Sequence, residues 1–269
     1  MAIITISRGS YSKGKEVAEK TAQRLGYKCI SRDIILEASK EFNIPEVKLV
    51  RAIHDAPSIL SRFSRETGKY IAFIQKALLG HFKNDNIVYH GLAGHFFVKG
   101  VSHVIKVRII ADLEDRVKLE MEREGISRAE ALHLLKKDDE ERRKWSRSLY
   151  GIDPWDPCLY DMVIHIHKIS VDDAVDMIVH AAGLDDFQAT PESRKAMENL
   201  VLAAEVKVAL VDINPELKVT ADDGLVLVKG EAKLLQEESL VRDIEKALKT
   251  VPGIKDYKIN IEADVPLSD

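Results

Sequence analysis

Residues 2–25, AIITISRGSYSKGKEVAEKTAQRL, decide the fold of the N-terminal part of this chain. The run AIITI at residues 2–6 is rich in β-branched residues, which predicts a strand buried on both faces, as in a parallel sheet. A loop of small and polar residues follows, and apolar residues then recur at helical spacing from Val17 to Leu25. Gly26 is well suited to end that helix. The order of strand, glycine-containing loop and helix is typical of the first unit of an α/β fold.

The loop between this strand and helix matches the spacing GxxxxGK, which is the P-loop pattern without its final Ser or Thr. Glycine allows backbone conformations that point successive N–H groups at one anion, and the N-terminus of the following helix adds positive potential. We expect Lys15 to reach the β- and γ-phosphates of a bound nucleotide as a point charge. The alternative is a solvent-exposed turn rich in Gly, Ser and Lys. The candidate phosphate-binding residues are Gly9, Ser10, Tyr11, Ser12, Lys13, Gly14, Lys15 and Glu16.

Glu16 occupies the position where a P-loop usually has the Ser or Thr that ligates Mg²⁺. A carboxylate is also a ligand for Mg²⁺, so Glu16 is the candidate metal ligand, although its longer and charged side chain would place the ion differently. The alternative is that Glu16 is only a favourable acid in the first turn of a helix.

Apolar runs further along the chain predict more strands, at residues 86–90, 103–111 and 161–166. Helical patterns lie between them, and this alternation indicates a mostly parallel sheet with helices on both faces. Capping pairs predict where two of these helices begin, namely Asp112 with Asp115 and Ser127 with Glu130.

The composition changes near residues 185–193, DDFQATPES, which are polar and contain Pro191. We predict a P-loop domain over residues 1–186, a linker over residues 187–194 and a small domain over residues 195–269. Within the small domain the pattern predicts the order helix, strand, strand, helix, strand, with a hairpin turn at Asp223-Gly224.

Charge and cysteine content exclude several classes of protein. The 269 residues carry 40 Lys+Arg and 44 Asp+Glu, so the net charge of −4 gives no electrostatic footprint for DNA or RNA. Cys29 and Cys158 are far apart and form no CxxC motif, which argues against a disulfide framework or a zinc knuckle and favours a reducing cytosol. No apolar run has the length of a signal-peptide core or a membrane span, so we expect a cytoplasmic protein.

Two histidines alternate on one predicted strand, His165 and His167. Their spacing places both imidazoles on the same face of the strand, which offers two metal ligands at most. The sequence indicates no third ligand, and a solvent-facing pair of histidines is the alternative.

Five segments of the N-terminal part resemble the cytidylate kinase-like family, whose members are P-loop proteins related to nucleoside monophosphate kinases. The resemblance covers most of residues 1–183 and implies a three-layer P-loop domain with a helical lid, which uses ATP and Mg²⁺ and phosphorylates a nucleoside monophosphate, CMP in the family. The family's loop often ends in Gly-Arg-Glu or Gly-Lys-Glu, so the resemblance makes Glu16 a family trait. The matching segments are ITISRGSYSKGKEVAEKTAQRLGY (4–27), CISRDIILEASKEF (29–42), RIIADLEDRVKLEMEREGIS (108–127), DDEERRKWSRSLYG (138–151) and DPCLYDMVI (156–164).

The segment DDEERRKWSR resembles the family's arginine-bearing lid. The resemblance implies that Arg142 and Arg147 act with Lys15 as catalytic residues, and that Asp139 belongs to the substrate site. A mobile lid would bring the arginines onto the phosphates and exclude water. The alternative is a solvated charged helix with ion pairs between residues four apart.

Arg32 and Asp33 match the start of the family's monophosphate-binding region, which implies that Arg32 binds the acceptor phosphate in a bidentate manner. Asp33 is equally suited to capping a helix. After the second predicted strand the family commonly has Gly-Arg-Gly, whereas residues 89–94 of this chain are YHGLAG, without the arginine. No predicted strand ends in a Walker B acid either.

Residues 195–265 resemble the BON domain, a small αβ module associated with lipid or ligand binding. The similarity lies in AAEVKVAL (203–210), GLVLVKG (224–230) and VPGI (251–254). It implies a regulatory or interaction module with a lipid or protein ligand, and the chain is also a candidate homo-oligomer. Three interpretations therefore remain open: a nucleotide kinase, a nucleotide-binding sensor coupled to the C-terminal module, or a structural α/β protein whose loop matches by chance. Glu16 and the arginine missing near Leu92 favour the second.

Overall fold

The computed structural model describes residues 2–10, 12–31, 33–43, 65–91, 94–233 and 236–264. Strands and helices alternate along the N-terminal part, and the predicted strands near residues 2–6, 86–90, 103–111 and 161–166 are all confirmed. The elements of this part are β1 (Ile3–Arg8), α1 (Gly14–Leu25), β2 (Lys28–Ile30), α2 (Asp33–Glu41), α3 (Arg65–Phe82), β3 (Ile87–His90), α4 (Gly94–Phe97), β4 (Val104–Ala111), α5 (Leu113–Glu124), α6 (Arg128–Tyr150), β5 (Met162–Ile166) and α7 (Val171–Ala182).

The N-terminal strands form a five-stranded sheet of order β2-β3-β1-β4-β5, and each adjacent pair is parallel. The prediction of a parallel α/β core is therefore confirmed. The carboxyl ends of parallel strands lie at one edge of the sheet, which is where ligands bind in open α/β folds. The register places Ser7 of β1 opposite Arg108 of β4, and Ile110 of β4 opposite His165 of β5.

Successive residues of β1 pack into different cores because side chains alternate across a strand. Ile3 belongs to a core with Leu78 and Phe82 of α3, whereas Ile4 belongs to a core with Val17 of α1. Residues of α7 complete the second core. Helices therefore cover both faces of the sheet, as the sequence predicts.

The short strand β2 has no counterpart in the sequence prediction. It is three residues long, and it pairs only with β3, at the edge of the sheet. A run of three residues contains too little alternation for a strand to be recognised from pattern alone.

The predicted lid is the helix α6, which has 23 residues. It begins with the predicted capping box of Ser127 and Glu130. Its first half packs against α5 through Ala131 and Leu135. Near its other end Trp145 is buried in the main core, with 1% of its surface exposed. The C-terminal end of α6 is thus anchored in the domain.

The second predicted helix start is confirmed, with Asp112 as the N-cap, but the capping hydrogen bond is absent. Asp112 does precede α5, but its carboxylate makes no capping hydrogen bond to that helix. It contacts the imidazoles of His165 and His167 instead, because β5 lies beside β4 and ends at the same edge of the sheet.

The C-terminal part has the predicted order of helix, strand, strand, helix, strand. The hairpin turn lies at Asp223-Gly224, where both residues have positive φ. β6 and β7 are antiparallel, and β7 and β8 are parallel. The strand β7 extends to Lys233, beyond the predicted strand end, so α9 begins later than predicted. The elements are α8 (Pro191–Leu210), β6 (Lys218–Asp222), β7 (Leu225–Lys233), α9 (Glu237–Leu248) and β8 (Asp256–Asp264).

The helix α8 begins at Pro191, inside the predicted linker of residues 187–194. Thr190 and Ser193 form a capping box, and proline suits the first helical position, so the helix starts before the linker ends. Met197 and Val201 pack into the N-terminal core, whereas Leu210 packs into the C-terminal core. One helix therefore contributes to both parts of the molecule.

Within the described residues, no helix has both the length and the apolar character that crossing a bilayer requires.

Candidate phosphate-binding site

The loop that follows β1 is a tight turn held against the sheet. The Gly9 N–H donates to the carbonyl of Ile109 in β4 at 3.2 Å. The N–H and the hydroxyl of Ser12 both donate to the carbonyl of Gly9, at 3.4 and 3.0 Å. Lys13 then adopts a left-handed conformation with φ of 61°, and α1 begins at the next residue. Tyr11, a predicted loop residue, lies outside the described residues.

The start of α1 offers hydrogen-bond donors to an anion. No side chain of the described residues caps this helix, and the first N–H groups of any α-helix have no acceptor within it. These donors and the positive end of the helix dipole suit a phosphate group. A Cβ at Gly14 would lie 2.7 Å from the Cβ of Arg8, so only glycine lets the helix start this close to β1.

Lys15 and Glu16 are oriented toward neighbours on α1. The ammonium of Lys15 lies 3.6 Å from the carboxylate of Glu19, and the Lys15 side chain is 64% exposed. The Glu16 carboxylate lies 3.3 Å from Lys20, which also binds Asp172 of α7 at 2.9 Å. Hydrogen bonds to Asp172 and then to Glu16 raise the pKa of Lys20. Lys15 and Glu16 therefore lie at the loop as predicted, but their side chains form ion pairs that are exposed to solvent.

A buried arginine and a partly exposed aspartate connect the loop to α5 and α6. Arg116 of α5 donates from Nε to the carbonyl of Ser10 at 2.6 Å and from Nη2 to the carboxylate of Asp139 at 2.7 Å. Asp139, on α6, accepts from the N–H of Ser10 at 3.4 Å. An N–H group of the loop thus already contacts one anionic oxygen, which is the interaction that a phosphate would make. Asp139 therefore lies at the loop, and its role in the substrate site stays a prediction.

Three arginines line one cleft beside this loop, at the carboxyl end of β1. They come from different elements: Arg8 from β1, Arg108 from β4 and Arg142 from α6. Arg142 donates to the carbonyl of Arg8 at 3.4 Å, and Arg108 lies 3.4 Å from the hydroxyls of both Ser7 and Tyr160. Asp139 is the acidic residue of the lining. The excess of fixed positive charge suits a polyanion.

His95 lies in the same cleft as a neutral base. Burial, together with the charges of Arg108 and Lys106, lowers the pKa of His95 to about 3. The hydroxyl of Tyr160 lies 3.3 Å from His95 Nε2 and donates to the carbonyl of Pro154 at 2.9 Å. His95 therefore adds a polar group to the cleft without adding charge.

Arg147, the other predicted lid arginine, is not at the cleft. Its guanidinium binds Asp153 at 2.6 Å, and Arg143 binds the same carboxylate at 2.7 Å. The hydrogen bond from Arg143, followed by those from Trp155 N–H and Arg147, holds the pKa of Asp153 far below its usual range despite some desolvation. The structure thus brings Arg142 and Asp139 to the loop and leaves Arg147 paired elsewhere.

The predicted acceptor region is only partly described. Arg32 lies outside the described residues, as does Leu92, where the family's arginine is missing. The backbone of Asp33 begins α2. At the end of β3, the ring of Tyr89 packs against Gly91 and Gly94, where a Cβ would lie 2.4 Å from it.

The sequence analysis missed Arg8, Arg108 and Arg116. The available signal was Arg108, a charged residue inside the apolar run VIKVRIIA at residues 104–111. A buried strand rarely carries a charge unless that charge has a partner or a ligand. Nothing in the local pattern distinguishes Arg116 from the other charged residues of α5.

The described residues fit the phosphate groups of a nucleotide, the class of ligand that the kinase-like fold implies. The uncapped start of α1, the turn at residues 9–13 and the three cleft arginines are donors for phosphate oxygens. For a divalent cation the candidate donor is the exposed Glu16 carboxylate, in the first turn of α1.

A parallel sheet with a GxxxxGK loop between its first strand and first helix defines a P-loop protein. The model of the cytidylate kinase-like family matches residues 3–168, and the chain belongs to that family. The N-terminal part is therefore of the nucleotide-kinase type.

Individual relatives agree with this assignment, and a solved structure shows a similar fold. The chain is 24% identical to the cytidylate kinase of Methanopyrus kandleri, over 65% of this chain and 90% of that protein. It is 28% identical to the cytidylate kinase of Thermococcus kodakarensis, over 61% of this chain and 78% of that protein. An uncharacterized protein from Eubacterium ventriosum superposes with a TM-score of 0.52 at 25% identity, covering 68% of this chain and 98% of its own.

Proposed function

We propose that the N-terminal domain transfers the γ-phosphoryl group of ATP to a nucleoside monophosphate, with CMP as the acceptor that the named relatives suggest. The observation that carries the proposal is the convergence of Arg8, Arg108 and Arg142 on one cleft beside the phosphate loop. A kinase needs positive groups around the transferred phosphoryl group, and these three arginines are the candidates for that role.

The donor phosphates bind to the loop in this proposal. Backbone N–H groups of residues 9–16 and the start of α1 hold the phosphate oxygens, and Lys15 turns from Glu19 to the β- and γ-phosphates. Mg²⁺, ligated by Glu16, would offset charge between the β- and γ-phosphates. Asp139 keeps Arg116 in position against the loop.

The acceptor binds in the arginine cleft. An oxygen of the acceptor phosphate, already ionised at neutral pH, attacks the γ-phosphorus; the bond from that phosphorus to the β–γ bridging oxygen breaks, and ADP leaves. No general base is needed, which agrees with the neutral, buried state of His95. Arg142 contacts the backbone at Arg8 and so lies between the loop and the cleft, where it neutralises the moving group. Arg147 and Arg32 stay predicted site residues.

A panel of nucleoside monophosphates with ATP and Mg²⁺ tests the proposal by measuring acceptor-dependent release of ADP. We expect K15A to abolish this activity and R142A to lower kcat/KM by about 10²-fold or more. K144A is the matched control, because Lys144 is on the same helix and is 62% exposed. If a folded protein releases no acceptor-dependent ADP with any member of the panel, the proposal is wrong.

A nucleotide sensor is the second candidate, and the shared helix α8 favours it. A helix that packs in both cores connects the P-loop domain to the C-terminal module directly. In this case ATP would raise the melting temperature of the protein, and no monophosphate would stimulate release of ADP.

For the C-terminal unit we propose a BON-like binding role. The outer face of its sheet carries Lys218, Lys229, Glu231 and Glu262, which line one shallow hollow. This mixed charge favours a protein ligand over lipid tails. Self-association and a cytoplasmic location stay predictions from the sequence.

A further inference from the structure

Two histidines and two aspartates lie together where β4 and β5 end. Asp112 directly follows β4, and Asp115 is in the first turn of α5. His165 is on β5, and His167 directly follows it. Their side chains are between 44% and 51% exposed, so the cluster is open to solvent. The sequence analysis singled out the two histidines, and the fold supplies the partners that it could not identify.

The side chains of this cluster are in direct contact, at spacings that also suit ligands of one ion. His167 Nδ1 lies 3.0 Å from Asp112 Oδ2 and 3.2 Å from Asp115 Oδ2. One ligand atom each from Asp112, Asp115 and His167 can be chosen so that all lie within 4.8 Å of one another. Ligands at 2.0–2.1 Å from a tetrahedral Zn²⁺ are roughly 3.4 Å apart.

The orientation of Asp112 within the cluster is unusual for a residue that precedes a helix. An aspartate that precedes a helix ordinarily accepts a hydrogen bond from the N–H groups of the first turn. Asp112 gives up that interaction and directs both carboxylate oxygens to imidazoles, with Oδ1 3.1 Å from His165 Nε2. Its two oxygens therefore hold two different histidines.

We propose that Asp112, Asp115 and His167 bind a divalent transition-metal ion, for which Zn²⁺ is the best fit, and that His165 positions Asp112. One imidazole and two carboxylates form a ligand set suited to zinc, whereas magnesium strongly prefers oxygen ligands alone. Three protein ligands leave a position for water. His165 binds the other oxygen of a ligating carboxylate, as outer partners of metal ligands commonly do. The ion also offsets the repulsion between two neighbouring carboxylates.

The test is a Zn²⁺ titration of the full chain, without an affinity tag, against a chromophoric chelator. We expect one ion per chain, and we expect H167A and D115N each to weaken binding tenfold or more. The matched control is H180A, because His180 is an exposed histidine on α7, outside the cluster. D115N keeps the shape of the side chain, and circular dichroism shows whether either variant is folded.

A second readout is thermal. Zn²⁺ is expected to raise the melting temperature of the unaltered chain and of H180A, but not of D115N, whereas Mg²⁺ in excess should not displace the zinc. The proposal is overturned if no saturable site is found, if H167A and D115N bind Zn²⁺ as the unaltered chain does, or if H180A weakens binding as much as they do. The titration contains no nucleotide, so its outcome is independent of the kinase assay.

Discussion

His95 is a base that folding keeps neutral, and this has a consequence for stability. The pKa of His95 falls to about 3 in the folded protein, against about 6.5 in an unfolded chain. Between those two pKa values the unfolded state binds more protons than the folded state. The contribution of His95 to the free energy of unfolding is therefore complete above pH 6.5 and is lost as the pH falls toward 3. We expect this one group to contribute a slope of up to about 1.4 kcal/mol per pH unit.

The measurement is the free energy of unfolding between pH 7 and 5 for the protein and for H95Q. Glutamine cannot be protonated in this range and can keep the hydrogen bond to Tyr160. H95Q should therefore show the shallower pH dependence. Equal slopes for the two proteins would contradict the assigned cause.

The role of each cleft residue depends on contacts that are distant in sequence. The guanidinium of Arg142 binds a carbonyl 134 residues away, and Arg108 contacts Ser7 across 101 residues. The sequence predicted Arg142 and Asp139 through family resemblance, not through local pattern. Neither resemblance nor local pattern identified Arg8 and Arg116. They belong to the site because the folded chain brings distant elements together there.

At the scale of elements, the junction of β3 with α4 predicts a contrast between two glycines. A Cβ at Gly94 would lie 2.4 Å from the buried ring of Tyr89, so G94A should destabilise the protein by about 1–3 kcal/mol. Gly80, near the end of α3, has nothing within 4 Å of an added Cβ. G80A should stabilise the protein by about 0.5–1 kcal/mol, because alanine favours a helix.

Chemical denaturation of both variants measures these two effects. A G94A protein as stable as the parent would show that the ring of Tyr89 moves aside at little cost. Loss of stability in G80A would contradict the exposure of that position on α3.

Elements were predictable where their own residues determine them. Apolar runs rich in β-branched residues form β1, β3, β4 and β5. Such residues favour the strand conformation, and burial in the sheet favours it further. The start of α8 was placed too late because Pro191 was interpreted as a linker residue, although proline also suits the first turn of a helix. The N-cap position of Asp112 was predicted correctly, but its side-chain hydrogen bond was not, because the competing partners His165 and His167 lie on and just after another strand.

At the scale of the whole molecule, α8 predicts that the two parts unfold together. Leu210 is completely buried in the C-terminal core, and L210A should remove about 2–5 kcal/mol of stability there. The protein has two tryptophans, Trp145 and Trp155, and both lie in the N-terminal part. Their fluorescence therefore reports on that part alone.

We expect L210A to lower the unfolding midpoint seen by tryptophan fluorescence as well as by far-UV circular dichroism, because the two signals follow one cooperative transition. L225A is the control, since Leu225 is in the same unit but 50% exposed. A fluorescence midpoint that L210A leaves unchanged would show that the two parts unfold separately.

The double membership of α8 also limits how this protein can be recombined. A crossover placed at the change of composition near residue 187 would separate the nucleotide module from Met197 and Val201, which complete its core. A splice after Leu210 would keep those side chains but expose the residues that the helix presents to the small sheet. If either module is exchanged with that of a relative, the replacement helix must therefore pack against the N-terminal core with one set of side chains and against the C-terminal core with another.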